Sequence, residues 1–79
     1  MQKELYFMNI NQRLKDLRED ADKSQKEIAN VIGTSQSYYA QYESGKRALP
    51  LDRAISLARY YNVSLDYLAG LIDTPRKLY

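Results

Sequence analysis

An all-α domain of five short helices is the fold class this sequence predicts, and three observations lead there. Apolar residues recur at steps of three and four, the spacing of one helix face. Hydroxyl residues able to cap helices, Ser24, Ser35 and Ser64, alternate along the chain with Gly33, Gly45 and Gly70, which suit helix ends. The length of 79 residues provides for one domain with one small core, without room for a separate ligand-sensing or enzymatic domain.

The chain opens on residues 1–9, MQKELYFMN, where Leu5, Tyr6, Phe7 and Met8 stand in a row without helical periodicity. This arm is left open between a disordered terminus, a strap on the domain and part of a dimer contact. Helix one follows over 10–21, with Ile10, Leu14, Leu17 and Ala21 on one stripe. Arg13 and Lys15 fall outside the stripe, and Arg18 borders it.

The second helix begins at Ser24-Gln25-Lys26-Glu27. There the Ser hydroxyl can take one backbone N–H and the Glu carboxylate can reach back to another, a capping box. Ile28, Ala29 and Ile32 give it an inward face, and Gly33, free of a Cβ, closes it in a sharp turn. Ser35 caps the third helix, whose Tyr39 and Tyr42 face inward while Gln36, Ser37, Ala40 and Gln41 project from other sides. Amides and a small hydroxyl on an outer helix face suit base edges. Gly45 ends this helix, and Lys46-Arg47-Ala48-Leu49 lead to Pro50, which pre-sets the start of helix four. Leu51, Ala54, Ile55, Ala58 and Tyr61 form the expected buried stripe of helix four, and Asn62 can end it. Ser64 caps a short fifth helix over 65–69, with Asp66 near the positive end of its dipole and Gly70 as its stop. The tail, 71–79, carries Leu71, Ile72, Leu78 and Tyr79, and reads equally as a dimer contact or as an end folded on its own domain.

These residues carry a resemblance. From Ser24 to Gly45 the chain resembles the helix-turn-helix of the Cro and phage-repressor family, also called the XRE family. The matching positions are Gln25, small Ala29, Gly33, Ser35-Gln36, Tyr39 and Tyr42. The likeness runs on through Glu43-Ser44-Gly45-Lys46-Arg47, Leu49-Pro50-Leu51-Asp52, Leu57-Ala58 and the run from Asn62 to Gly70. It covers about 10–73, and the combined spacing is far more specific than any single motif. It implies a compact five-helix, lambda-repressor-like domain that binds DNA. Two departures stand out. Lys23 takes the place of an apolar residue before the Ser24 cap, which predicts a looser approach to helix two. Tyr39 replaces a branched aliphatic and brings a hydroxyl that needs a partner. The resemblance also pairs Arg18 with Glu43. Physical chemistry agrees, because a half-covered guanidinium is costly without a carboxylate, though an Arg here can also snorkel to water.

The formal net charge is only +2, but its distribution is uneven. Residues 1–33 and 61–79 balance, so the excess lies in 34–60, where Lys46, Arg47, Arg53 and Arg59 face Glu43 and Asp52. This surplus sits beside the third helix. Without the motif it would be ordinary surface composition.

On a DNA reading, Gln25, Tyr38, Lys46 and Arg47 are the expected phosphate contacts. Gln25 stands at a helix N-terminus, and by the resemblance it also braces Gln36. Tyr38 fits an ordinary exposed aromatic nearly as well. Gln36, Ser37 and Gln41 are the expected base readers, since an amide can bond adenine N6 and N7 and a hydroxyl can donate or accept. Gln41, five residues beyond Gln36, lies about 140° around the helix and would read a different strand or backbone. So small a module points to a homodimer on an inverted repeat, with half-sites about 10 bp apart or a multiple of that. Tyr60, Tyr67 and the tail are the aromatic and apolar positions for its face.

The absence of Cys and His removes disulfides, the commonest metal ligands and the usual activating base. Ser24 and Ser35 are explained as caps, so no enzyme, metal or cofactor is expected. No apolar run approaches the ~18 residues of a membrane span and no signal-peptide core is visible, which predicts a cytoplasmic protein. The leading expectation is a small transcriptional repressor or regulator of double-stranded DNA. The rival is a protein-interaction module of the same fold, such as an antitoxin or a regulator-binding protein. The hydrogen-bonding groups and cations on helix three favour the first.

Overall fold

The computed structural model describes residues 9–74 and contains five helices there, with no strand among the described residues: α1 (Ile10–Asp20), α2 (Gln25–Val31), α3 (Gln36–Ser44), α4 (Leu51–Tyr61) and α5 (Leu65–Leu68). Nearly all of the amino-terminal arm and the end of the tail, Leu78 and Tyr79 included, lie outside the described residues. None of the described helices is long and apolar enough to cross a membrane.

Local chemistry sets each boundary. Asn9, left in the arm by the sequence reading, caps α1 by accepting from the Gln12 amide at 2.9 Å. Ser24 and Glu27 close their box, Glu27 N–H to Ser24 Oγ at 3.0 Å and Ser24 N–H to Glu27 Oε1 at 2.8 Å. These bonds to the ionised form, the backbone bond from Ser24 foremost, hold the Glu27 carboxyl below its ordinary range. Ser35 and Ser64 cap α3 and α5 in the same way. Asn62 ends α4 in the left-handed conformation.

The core gathers Leu14 of α1, Ile28 and Ala29 of α2, Tyr39 and Tyr42 of α3, Ala54, Leu57 and Ala58 of α4, and Leu68 of α5. In this arrangement α3 packs on both α2 and α1, while α5 packs on α4 and α1. The helix-turn-helix is therefore braced from behind by the first helix.

Four expectations need correction. Leu51 is 69% exposed and Ile55 is half-buried; the inward positions of α4 are Ala54, Leu57 and Ala58, with Tyr61 packed at the edge. Leu51 and Ile55 lie around the helix to one side of that inward stripe, so the Leu51 side chain stays outside the packed layer. Ala21 is exposed because α1 ends at Asp20 and Ala21 is its C-cap. Helix five ends at Leu68, with Ala69 as cap. Arg13, read as lying outside the stripe, is buried: its guanidinium lies 3.8 Å from the centroid of the Tyr67 ring and 3.8 Å from Asp73 Oδ1. An aromatic face and a carboxylate together make burial of this cation tolerable.

Candidate nucleic-acid interface

The interface is built on the α2–turn–α3 unit. The turn is closed by Gly33 at φ 71° and by the Thr34 amide donating to the Ala29 carbonyl at 3.0 Å, which lets the chain reverse within three residues and begin again at the Ser35 cap. Tyr39 and Tyr42 fix the roll of α3 by burying one side of it. The opposite side faces solvent.

Glu43, at the end of α3, is where the unit is locked. Its carboxylate accepts from Arg18 Nε at 2.7 Å and Nη2 at 3.2 Å, from the Tyr39 hydroxyl at 2.7 Å and from the Gln25 amide nitrogen at 3.1 Å. Burial pushes the Glu43 carboxyl up. The bonds from Arg18, Tyr39 and Gln25 outweigh burial and hold it below the usual carboxylate range. The Tyr39 hydroxyl is pushed well above the ordinary phenol range, first by burial and then by its bond to Glu43. The partner that Tyr39 requires is thus supplied one turn along its own helix. Arg18 also donates from Nη1 to the Lys23 carbonyl at 2.9 Å. That bond holds the approach to α2 at the position where Lys23 offers no apolar staple.

Gln36 and Ser37 are exposed on the first turn of α3, with the Ser37 hydroxyl 3.5 Å from the Ser35 hydroxyl. Lys46 and Arg47 are exposed in the loop that leaves the helix. Gln25 differs from the expectation: its amide is committed to Glu43, and no hydrogen bond joins it to Gln36 among the described residues. Gln41 and Tyr38 are half-buried, and Arg47 brings them together. Its Nε donates to Gln41 Oε1 at 3.3 Å, its amide donates to the Gln41 carbonyl at 3.1 Å, and its guanidinium lies 4.6 Å from the centroid of the Tyr38 ring.

Arg53 was visible to sequence reasoning only as one cation in the 34–60 surplus. In the structure its Nη1 donates to the Tyr42 hydroxyl at 2.7 Å, and its guanidinium lies 5.6 Å from the Tyr38 ring centroid. Tyr38 and Tyr42 meet edge to face at 5.7 Å, so α4 reaches the outer edge of α3 through Arg53 and this pair of rings. Tyr67, expected at a dimer face, is half-buried and covered by Arg13. Tyr60 is 42% exposed.

A family model described as "Helix-turn-helix" matches residues 14–68. The uncharacterized helix-turn-helix-type transcriptional regulator YobD of Bacillus subtilis strain 168 is 42% identical over 64 residues, which are 81% of this chain and 57% of YobD. The chain spans about half the length of the curated relatives it matches. Among solved structures, the restriction-modification controller protein C.AhdI from Aeromonas hydrophila is 30% identical with a TM-score of 0.68, covering 75% of this chain and 89% of that one. The P22 c2 repressor, solved in complex with synthetic operator 9T, has a TM-score of 0.71 at 20% identity, covering 77% of this chain and 92% of that one, a likeness of fold. On the family match and these identities, the chain belongs to the helix-turn-helix family of the Cro and phage-repressor, or XRE, type.

Proposed function

We propose that this protein is a cytoplasmic transcriptional repressor that reads an inverted-repeat operator by placing α3 in the major groove. One observation carries the reading: Gln36 and Ser37 stand exposed on the first turn of a helix whose other side is locked into the core, with Lys46 and Arg47 exposed in the loop leaving it. Recognition helices of this motif present their first turn to base edges, and cations beside it neutralise phosphates. Gln36, Ser37 and Gln41 read bases. Lys46 and the outer edge of Arg47 hold phosphates, and Tyr38 supports Arg47 from beneath. Gln25 reaches a phosphate only by giving up its bond to Glu43, so we assign it the smallest share of the backbone contacts.

A module of this size gains useful affinity by binding as a pair. We place the homodimer contact on the apolar groove lined by Ile10, Leu49, Leu51, Leu65 and Ala69, where Leu51 is exposed. The protein acts by binding and not as an enzyme.

Selection of duplexes from a random DNA library at near-physiological salt tests this. Enrichment of an inverted repeat supports the reading and supplies the operator. Retention of random DNA alone, by folded protein, would overturn it in favour of a protein-binding module.

A further inference from the structure

We propose that Arg47 is a positioning residue that biases Gln41 towards donating in the groove, so that Gln41 favours guanine or thymine over cytosine. This rests on the reading above, in which α3 enters the major groove. A guanidinium carries no acceptor, so the group of Gln41 that faces Arg47 Nε at 3.3 Å is the amide oxygen. With one lone pair of its oxygen taken and the amide held by that bond, the side chain offers chiefly its NH2 group. A free glutamine pairs with adenine by donating to N7 while accepting from N6, and the tether competes with the accepting half. Guanine presents two acceptors, O6 and N7, and thymine presents O4, whereas cytosine presents a donor.

Arg47 is held for this work from two directions. Its own amide is bonded to the Gln41 carbonyl at 3.1 Å, and its guanidinium lies over Tyr38, 4.6 Å from the ring centroid. The fork geometry matters, because Nε can serve Gln41 while the terminal nitrogens point to a phosphate. One side chain thereby ties the register on the backbone to the base that Gln41 reads. Lys46, its neighbour, makes no such bond and is the matched control for loss of a cation.

The test uses the full chain and the duplex it enriches from the random library. The position relaxed by Gln41→Ala is rebuilt with each of the four base pairs, and affinities are measured by fluorescence anisotropy at one salt concentration. The unaltered protein is expected to prefer guanine or thymine over cytosine by about tenfold at that position. Arg47→Ala is expected to lose that ratio and to shift towards adenine as the amide oxygen is freed. Lys46→Ala is expected to weaken all four alike. Thermal unfolding shows whether both variants are folded. The proposal is overturned if Arg47→Ala merely weakens all four duplexes alike, or if Gln41→Ala relaxes no position. Failure of the unaltered protein to enrich any duplex would remove the DNA reading itself, an outcome distinct from either of these.

Discussion

Glu43 shows what a single carboxylate does when several donors converge on it. Its ionised form is stabilised by Arg18, Tyr39 and Gln25 against the cost of burial, so its folded pKa lies below its unfolded value of about 4.3. A depressed acid contributes stability that is complete above the unfolded pKa and is lost as pH falls through the folded one. Glu43→Gln is therefore expected to cost about 2–3 kcal/mol at pH 7, leaving the guanidinium of Arg18 short of its partner. The difference from the unaltered protein should narrow as the pH is lowered below about 4, as followed by urea unfolding across a pH series. A constant difference at every pH would mean that the ionised form is not what Glu43 supplies. The Arg18 pairing was legible in the sequence by resemblance and by charge. The shared bonds from Tyr39 and Gln25 were not, because they depend on the roll of α2 and α3 about their axes, which spacing alone leaves open. Arg13 escaped for a related reason: its cover comes from Tyr67 and Asp73, more than fifty positions along the chain.

Among the elements, α3 is the one whose boundaries were plainest in the sequence. A Ser at one end and a Gly at the other carry their physics locally, and the structure finds the cap at Ser35 and a left-handed Gly45 at φ 82°. Gly45→Ala is expected to destabilise the fold by about 1–2 kcal/mol, chiefly through that backbone conformation. A Cβ there would also stand 2.7 Å from Asn11 Nδ2, but the end of a side chain can move aside cheaply. Unchanged thermal stability in Gly45→Ala would contradict this reading of the helix end. Helix α4 was less legible, since Leu51 and Ile55 share a helical spacing with Ala54 and Ala58 and nothing local says where the core stops. Angle decided it: the buried stripe of Ala54, Leu57, Ala58 and Tyr61 lies to one side of Leu51 and Ile55 around the helix, and Leu57 provides the deep contact.

The whole molecule is a small core that holds one exposed helix edge in a fixed orientation. The fold class and the helix-turn-helix followed from caps, stripes and resemblance together, whereas the apolar groove beside Leu51 became visible only once α4 and α5 were placed against Ile10. If a second copy occupies that groove, Leu51→Glu should give a monomer in analytical ultracentrifugation with thermal stability within about 0.5 kcal/mol of the unaltered protein. A dimer that survives the substitution would move the contact elsewhere on the surface. Base reading by the first turn of α3 is tested by comparing Gln36→Ala with the unaltered protein on the enriched duplex and on random DNA. A loss of about 1–3 kcal/mol on the enriched duplex, with random DNA bound as before, is the predicted result. Equal loss on both would contradict base reading by Gln36 and leave α3 as a backbone contact only.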